Sequence, residues 1–258
     1  MKNLNIDKIA NNLVRAFTRN KIISPIPIKY IKNMKEAQKL RKICESKIKE
    51  PIIGFKAAGT GLSVLKKLGE KEPFYASVFK NNVLKSGNSV KTNSYTLGIE
   101  LEVGYLIKNF FFHSKGSINF KNIHKYISHM MPAIEVVGYR QRKKGIKFLG
   151  DLCSDFGANV KFVVGSKSKY KKINFGTLKS RIENKKIKHL VNGHTNTVYI
   201  NPLNSLKFVL NKLKKDKIIL DKDFYVFTGS TVGVTPILGK GTYQGKIDKL
   251  GIVKAKII

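Results

Sequence analysis

The sequence predicts an α+β fold, with a helical segment over residues 1–50 packed on a β-rich core over residues 51–258. Two observations carry this. The first fifty residues place apolar side chains at helical spacing on either side of a proline break. From Ile52 onward the texture changes to short apolar runs punctuated by glycine, with only two helical stretches among them. Strands that mostly follow one another argue for a mixed or antiparallel architecture and against a doubly wound parallel sheet.

Ile6, Ile9, Ala10, Leu13, Val14 and Phe17 fall on one helical face. Ile23-Ser-Pro-Ile-Pro-Ile28 cannot continue that helix, because two prolines force extended backbone. A second helix is expected from about Asn33 to Lys47, closed by Pro51. Strands are expected at Ile52–Lys56, Tyr95–Ile107, Ala133–Tyr139, Val160–Val164, Val198–Ile200, Phe224–Phe227 and Ile252–Ile258. The interrupting helices are Ile123–Met131 and Leu203–Leu213, the latter after the Asn201-Pro202 break, and Lys167–Lys172 reads as a basic loop.

Composition narrows the classes. No run approaches the roughly 20 apolar residues of a membrane span, and the start lacks a signal peptide's apolar core. Two cysteines, Cys44 and Cys153, make neither a disulfide framework nor a zinc site, so a cytoplasmic setting is expected. The formal charge of +34 raises a polyanion partner as a question. Its 50 basic residues are almost all lysine and run from end to end, with no recognised binding motif. Nucleic-acid binding is therefore not expected as the function, and a basic polyanion-binding protein stays as the alternative from a different class.

Acids are scarce where the core begins. Between Glu72 and Asp151 the chain holds only Glu100, Glu102 and Glu135. Along a strand, Glu100 and Glu102 project to one face while Ile99, Leu101 and Val103 line the other. Carboxylates among apolar residues are costly unless compensated, and a hard divalent ion suits oxygen ligands. The alternative is a solvated strand face with an unrelated third glutamate. Scarcity amid so many lysines favours the metal.

Several phrases, in order, resemble one family. Gly54-Phe-Lys56 followed by Thr60, Leu68-Gly69 and Glu72-Pro-Phe74 resembles its opening strand and loop. Ile99-Glu-Leu-Glu102 resembles its Glu-x-Glu strand, and Pro132-Ala-Ile-Glu135 with Arg140 its third glutamate. Asp155 through Asn159 to Gly165, Asn201-Pro-Leu-Asn204, and Thr228-Gly-Ser230 before Val234-Thr-Pro236 complete the series. The chain resembles the 2-keto-4-pentenoate hydratases and 4-oxalocrotonate decarboxylases of the fumarylacetoacetate hydrolase superfamily, from Pro25 to the end.

The resemblance implies a β-roll/sandwich core, Mg2+ or Mn2+ on Glu100, Glu102 and Glu135, and a small 2-oxo or 2-hydroxydienoate acid as substrate. It also implies a cytoplasmic homo-oligomer. The expected activity is that of a lyase adding water to a short 2-hydroxydienoate. The alternatives are decarboxylation of a 2-oxo-dienedioate on the same site, or a member that binds metal and 2-oxo acid without turnover.

Lys56 would oppose the substrate's charge, or shuttle a proton if burial lowers its pKa; its alternative is a solvated lysine. Ser230 and Gly229 would bind the substrate carboxylate through hydroxyl and backbone N–H, or simply form a turn. Asp155 and Asn159 are site residues or a strand-capping turn. Phe74, Gly138 and Phe156 stand where many hydratases carry polar residues. His113, His124, His129 and His189 read as surface residues, and His194 as a turn residue. The His–Glu dyad of the superfamily's hydrolases has no counterpart, and no Ser-His-Asp, P-loop or Rossmann pattern competes.

Overall fold

The computed structural model describes residues 2–141, 146 and 148–258. Helices α1 (Lys2–Arg19) and α2 (Met34–Ser46) come first, then strand β1 (Ile52–Ala58), α3 (Leu62–Lys67) and β2 (Phe74–Phe79). Short strands β3 (Val83–Lys85) and β4 (Ser89–Val90) precede the two longest, β5 (Thr96–Ile107) and β6 (Ile127–Gly138). Next come α4 (Leu149–Ser154), β7 (Asn159–Val164), β8 (Ser168–Lys169), β9 (Lys179–Asn184) and β10 (His189–His194). Helix α5 (Pro202–Lys215) and strands β11 (Phe224–Ser230), β12 (Gly241–Ile247) and β13 (Gly251–Ile257) end the chain.

The fold is α+β, built on two mixed sheets. The larger runs β2-β1-β11-β5-β6-β7-β3, with β8 added beside β6, and the smaller runs β10-β9-β12-β13-β4. Between them lies the main core, where Ile99, Leu101 and Val103 of β5 and Ile134 and Val136 of β6 meet Tyr243, Ile247, Val253 and Ala255. The sheets approach closely because Gly245 carries no side chain: a Cβ there would stand 2.5 Å from Leu101 Cδ1. Leu203, Leu206, Leu210 and Leu213 of α5 close the same core. Asn201 caps α5 by accepting from the Leu203 N–H at 2.9 Å.

On its other face the large sheet curls. Phe162 of β7 and Phe227 of β11 stack with centroids 4.1 Å apart, although β5 and β6 lie between them. In a flat sheet three strand spacings would separate them by roughly 14 Å. The N-terminal helices pack beyond the β2 edge, where Leu13, Phe17, Leu40 and Cys44 join Phe79, Leu149 and Phe156.

Three local expectations need correction. Ile123–Met131 is not a helix: a 3-10 turn covers Ile123–Tyr126, and β6 starts at Ile127. The segment has a helix's apolar spacing, yet pairing with β5 claims its backbone, Leu106 opposite His129. Val198–Ile200 is not a strand but a turn containing left-handed Tyr199 (φ 48) and Ile200 (φ 70). Lys167–Lys172 contains β8, whose Lys169 pairs with His129. Strands β2, β3, β4, β9, β10 and β12 and helices α3 and α4 were not expected.

Candidate metal centre

Strand parity puts Glu100 and Glu102 on the curled face, opposite Ile99, Leu101 and Val103 in the core. The antiparallel register of β5 and β6 sets Glu100 directly across from Glu135, and Glu102 across from Ala133. Directly opposed residues share a face, so all three carboxylates project together. One oxygen from each lies within 4.8 Å of the others. Among the described residues this is the one such group of His, Cys, Asp or Glu side chains.

Glu102 and Glu135 are fully buried, and Glu100 is partly exposed. Lys56 reaches them from β1, three strands from β6, which only the curl allows. Its Nζ donates to both oxygens of Glu135, at 2.5 and 2.6 Å, and to the Gly157 carbonyl at 3.0 Å. That carbonyl is delivered by a left-handed run, Phe156 (φ 55), Gly157 (φ 68) and Ala158 (φ 61). Glu102 Oε2 accepts from the Gly229 N–H at 2.8 Å. Gly229 has φ 107, and a Cβ there would collide with Thr60 Oγ1, so no other residue fits.

Three carboxylates and one ammonium leave a formal charge of −2 on this cluster. Burial, then the neighbouring Glu135 charge, pushes Glu100 up to about 7, against the pull of Lys56. Burial also pushes Glu102 up to about 7, opposed by Lys56. Glu135 is held well above the ordinary carboxylate range, chiefly by burial. Burial alone would lower Lys56, but Glu135, Glu100 and Glu102 together hold it above its ordinary value. Lys56 therefore stands here as a cation, the first of the two roles expected for it, with its Nζ donating to Glu135 and Gly157.

The donor set fits a hard divalent cation. Glu102 Oε1 is buried and has no hydrogen-bond partner, an expensive state unless something else satisfies it. Oxygens about 2.0–2.6 Å from one ion lie at most about 5 Å apart, which matches the observed spacing. Two positive charges would bring the cluster to neutrality.

The other expected site residues have partners of their own. The Asp155 carboxylate accepts from the Arg140 backbone N–H at 2.6 Å and from its guanidinium at 3.1 Å. Arg140 also donates to the Asn159 carbonyl at 2.7 Å and lies over the rings of Phe17, Tyr95 and Phe156. The Asn159 amide donates to the carbonyls of Ser77 and Phe156, at 3.2 and 3.3 Å, and accepts from Asn82. Ser230 donates its hydroxyl to the Gly233 carbonyl at 2.9 Å. Gly229 spends its N–H on Glu102. Phe74 and Phe156 are buried against the N-terminal helices, and a Cβ at Gly138 would stand 2.6 Å from Tyr95. The Gly157 carbonyl and the Phe162–Phe227 stack were not foreseen: both depend on the curl, which no local pattern encodes.

No protein-family model matches the chain, and no curated protein does. Solved structures do match. The 4-oxalocrotonate decarboxylase from Pseudomonas putida G7, complexed with magnesium and adipate, has a TM-score of 0.86 at 17% identity, over 100% of this chain and 99% of that one. The same enzyme complexed with calcium and acetate gives 0.85 at 17%, with the same coverage. Fumarylpyruvate hydrolase from Pseudomonas aeruginosa, in complex with Mn2+ and pyruvate, gives 0.59 at 12%, over 82% of this chain and 92% of that one. The chain has the fold of these enzymes, the β-roll that the resemblance implied.

Proposed function

We propose that this chain is a divalent-cation-dependent lyase of the fumarylacetoacetate hydrolase superfamily, acting on a short 2-oxo acid by decarboxylation. The observation that carries it is the buried Glu100–Glu102–Glu135 group, two charges short of neutrality and with a free Glu102 oxygen. Magnesium or manganese is the proposed ion, as found with the fold's neighbours. When bound it supplies a Lewis acid toward a 2-oxo acid's carboxylate and C2 oxygen.

The chain's own residues do the rest. The Gly229 N–H fixes one oxygen of Glu102 and aims the other. Lys56 neutralises Glu135 and is held by the Gly157 carbonyl. The Phe162–Phe227 stack keeps water from the base of the site. In decarboxylation the bond to the terminal carboxylate breaks, its electron pair moves into the conjugated 2-oxo system, CO2 leaves, and carbon later takes a proton. Hydration, the activity first expected, needs in addition a group that orients water at the far carbon. Phe74, Gly138 and Phe156 provide no polar group, and Lys56, Asp155 and Asn159 are engaged. This favours decarboxylation. A homo-oligomer belongs to the same proposal and is read by light scattering.

The test is ultraviolet absorbance of 2-hydroxypenta-2,4-dienoate and of its C5-carboxylated analogue, with and without Mg2+. The carboxylated compound should be consumed with release of CO2 only when Mg2+ is present. Consumption of the pentadienoate alone would restore the hydratase reading, and inertness of both with metal bound would leave a non-catalytic binder.

A further inference from the structure

Helix α5 turns five leucine and valine side chains into the core and leaves its outer face against a groove of about 660 Å3. The floor is apolar: Leu62, Tyr199, Ile200 and Phe208 line it. Leu62 is 49% exposed and Ile200 60%. The rim is basic, with Lys71, Lys207, Lys212 and Lys215, while the single acid, Glu72, is held by Lys212 at 2.5 Å. Helix α5 packs on the face of the large sheet opposite the carboxylates, while the Tyr199 end of the groove bonds to Thr60, which packs on Gly229.

Ile200 is the second, independent sign. A β-branched residue at φ 70 is a true outlier, and left-handed backbone costs free energy for any residue with a Cβ. The residue before it is pinned at both ends: the Tyr199 N–H donates to the Thr60 carbonyl at 2.9 Å, and the Tyr199 carbonyl accepts from Asn204 at 2.9 Å. Unlike the left-handed Phe156 and Ala158, which are buried, Ile200 carries a large apolar side chain into water, a combination found at binding surfaces.

We infer that this groove docks an acidic amphipathic helix of a partner protein, its apolar stripe on Ile200 and Leu62 and its carboxylates among the lysines. Helix α5 is about 21 Å long, four turns at 1.5 Å per residue, and accommodates a helix of similar length. A second copy of this chain fits poorly, since 50 basic residues against 16 acidic ones give it no acidic face to offer. For single-stranded nucleic acid the most exposed floor side chains, Leu62 and Ile200, are aliphatic, Tyr199 and Phe208 are only partly exposed with Lys212 over the Phe208 ring, and the rim has no arginine.

The probe is a fluorescently labelled helical peptide of about four turns, with leucines on one face and glutamates flanking them. Controls are its scramble of equal charge and an oligothymidylate. The designed peptide should bind at least tenfold more tightly than the scramble. Ile200→Asn tolerates the left-handed backbone, so it should weaken binding at least tenfold while raising the melting temperature by about 2–4 °C. Lys207→Glu should weaken binding without moving the melting temperature. Equal binding of the scramble, tighter binding of oligothymidylate, groove-dependent self-association by light scattering, or an Ile200→Asn variant that melts lower and binds normally would each overturn the inference.

Discussion

Two buried charged clusters lie close together in this molecule and behave oppositely. Arg140 and Asp155 form a charge-balanced pair: both carboxylate oxygens accept bonds, three aromatic rings surround the guanidinium, and Arg140 Nε alone of its nitrogens has no hydrogen-bond partner. Lys56 with Glu100, Glu102 and Glu135 forms an open one: charge does not balance, and a buried oxygen lacks a partner. Burial penalises both. The first is neutralised by the chain itself, and the second is the one for which a bound cation is proposed. Net charge is what distinguishes the two, since burial and a buried atom without a partner are common to both.

The largest effect that sharpens the comparison is on stability. Asp155→Ala leaves Arg140 buried and unpaired, and should cost about 3–5 kcal/mol in chemical denaturation, equally with and without Mn2+. A cost that Mn2+ reduced would place Asp155 in the open cluster.

Next is pH. Glu100 and Glu102 sit at about 7, above the ordinary carboxylate value. A raised folded-state pKa gives stability that is fully present below about 4.5 and lost as pH rises through about 7. The metal-free protein should therefore melt lower at pH 8 than at pH 5.5, and a Glu100→Gln/Glu102→Gln double variant should show a smaller drop. Mn2+ should raise the melting temperature more at pH 8 than at pH 5.5. A double variant that melts along the wild-type pH curve would show these carboxylates to be unperturbed.

The smallest effect concerns Ser230. Its hydroxyl closes a turn onto Gly233, so Ser230→Ala should cost about 1 kcal/mol, a melting shift of about 2–4 °C, and leave metal affinity unchanged. Weaker 2-oxo acid binding without a melting shift would mean instead that the hydroxyl contacts the substrate.

The sequence made the shared face of Glu100 and Glu102 legible because strand parity is a local rule. Glu135 was brought alongside only by resemblance, since register is decided between β5 and β6 and not within either. Lys56 was expected in the same cleft from the resemblance, but its direct bonds to Glu135 were not, because they depend on the curl of four strands. Local failures have similar causes. Inward positions of β9 are Ser180, Ile182 and Asn184, too polar to read as a core strand. Ile200 sits in a β-branched run that reads as strand, while contacts from Thr60 and Asn204 pin Tyr199 before it, and both are left-handed.

Whether the open cluster is a cation site is decided by calorimetric titration of chelator-treated protein with Mn2+. At pH 7.5 saturable binding of one ion per chain is expected, weakened at least tenfold at pH 5.5, where protons compete for Glu100 and Glu102, and strongly weakened by Glu102→Gln. Binding indifferent to both pH and Glu102→Gln, or no saturable binding at all, would contradict a cation site there.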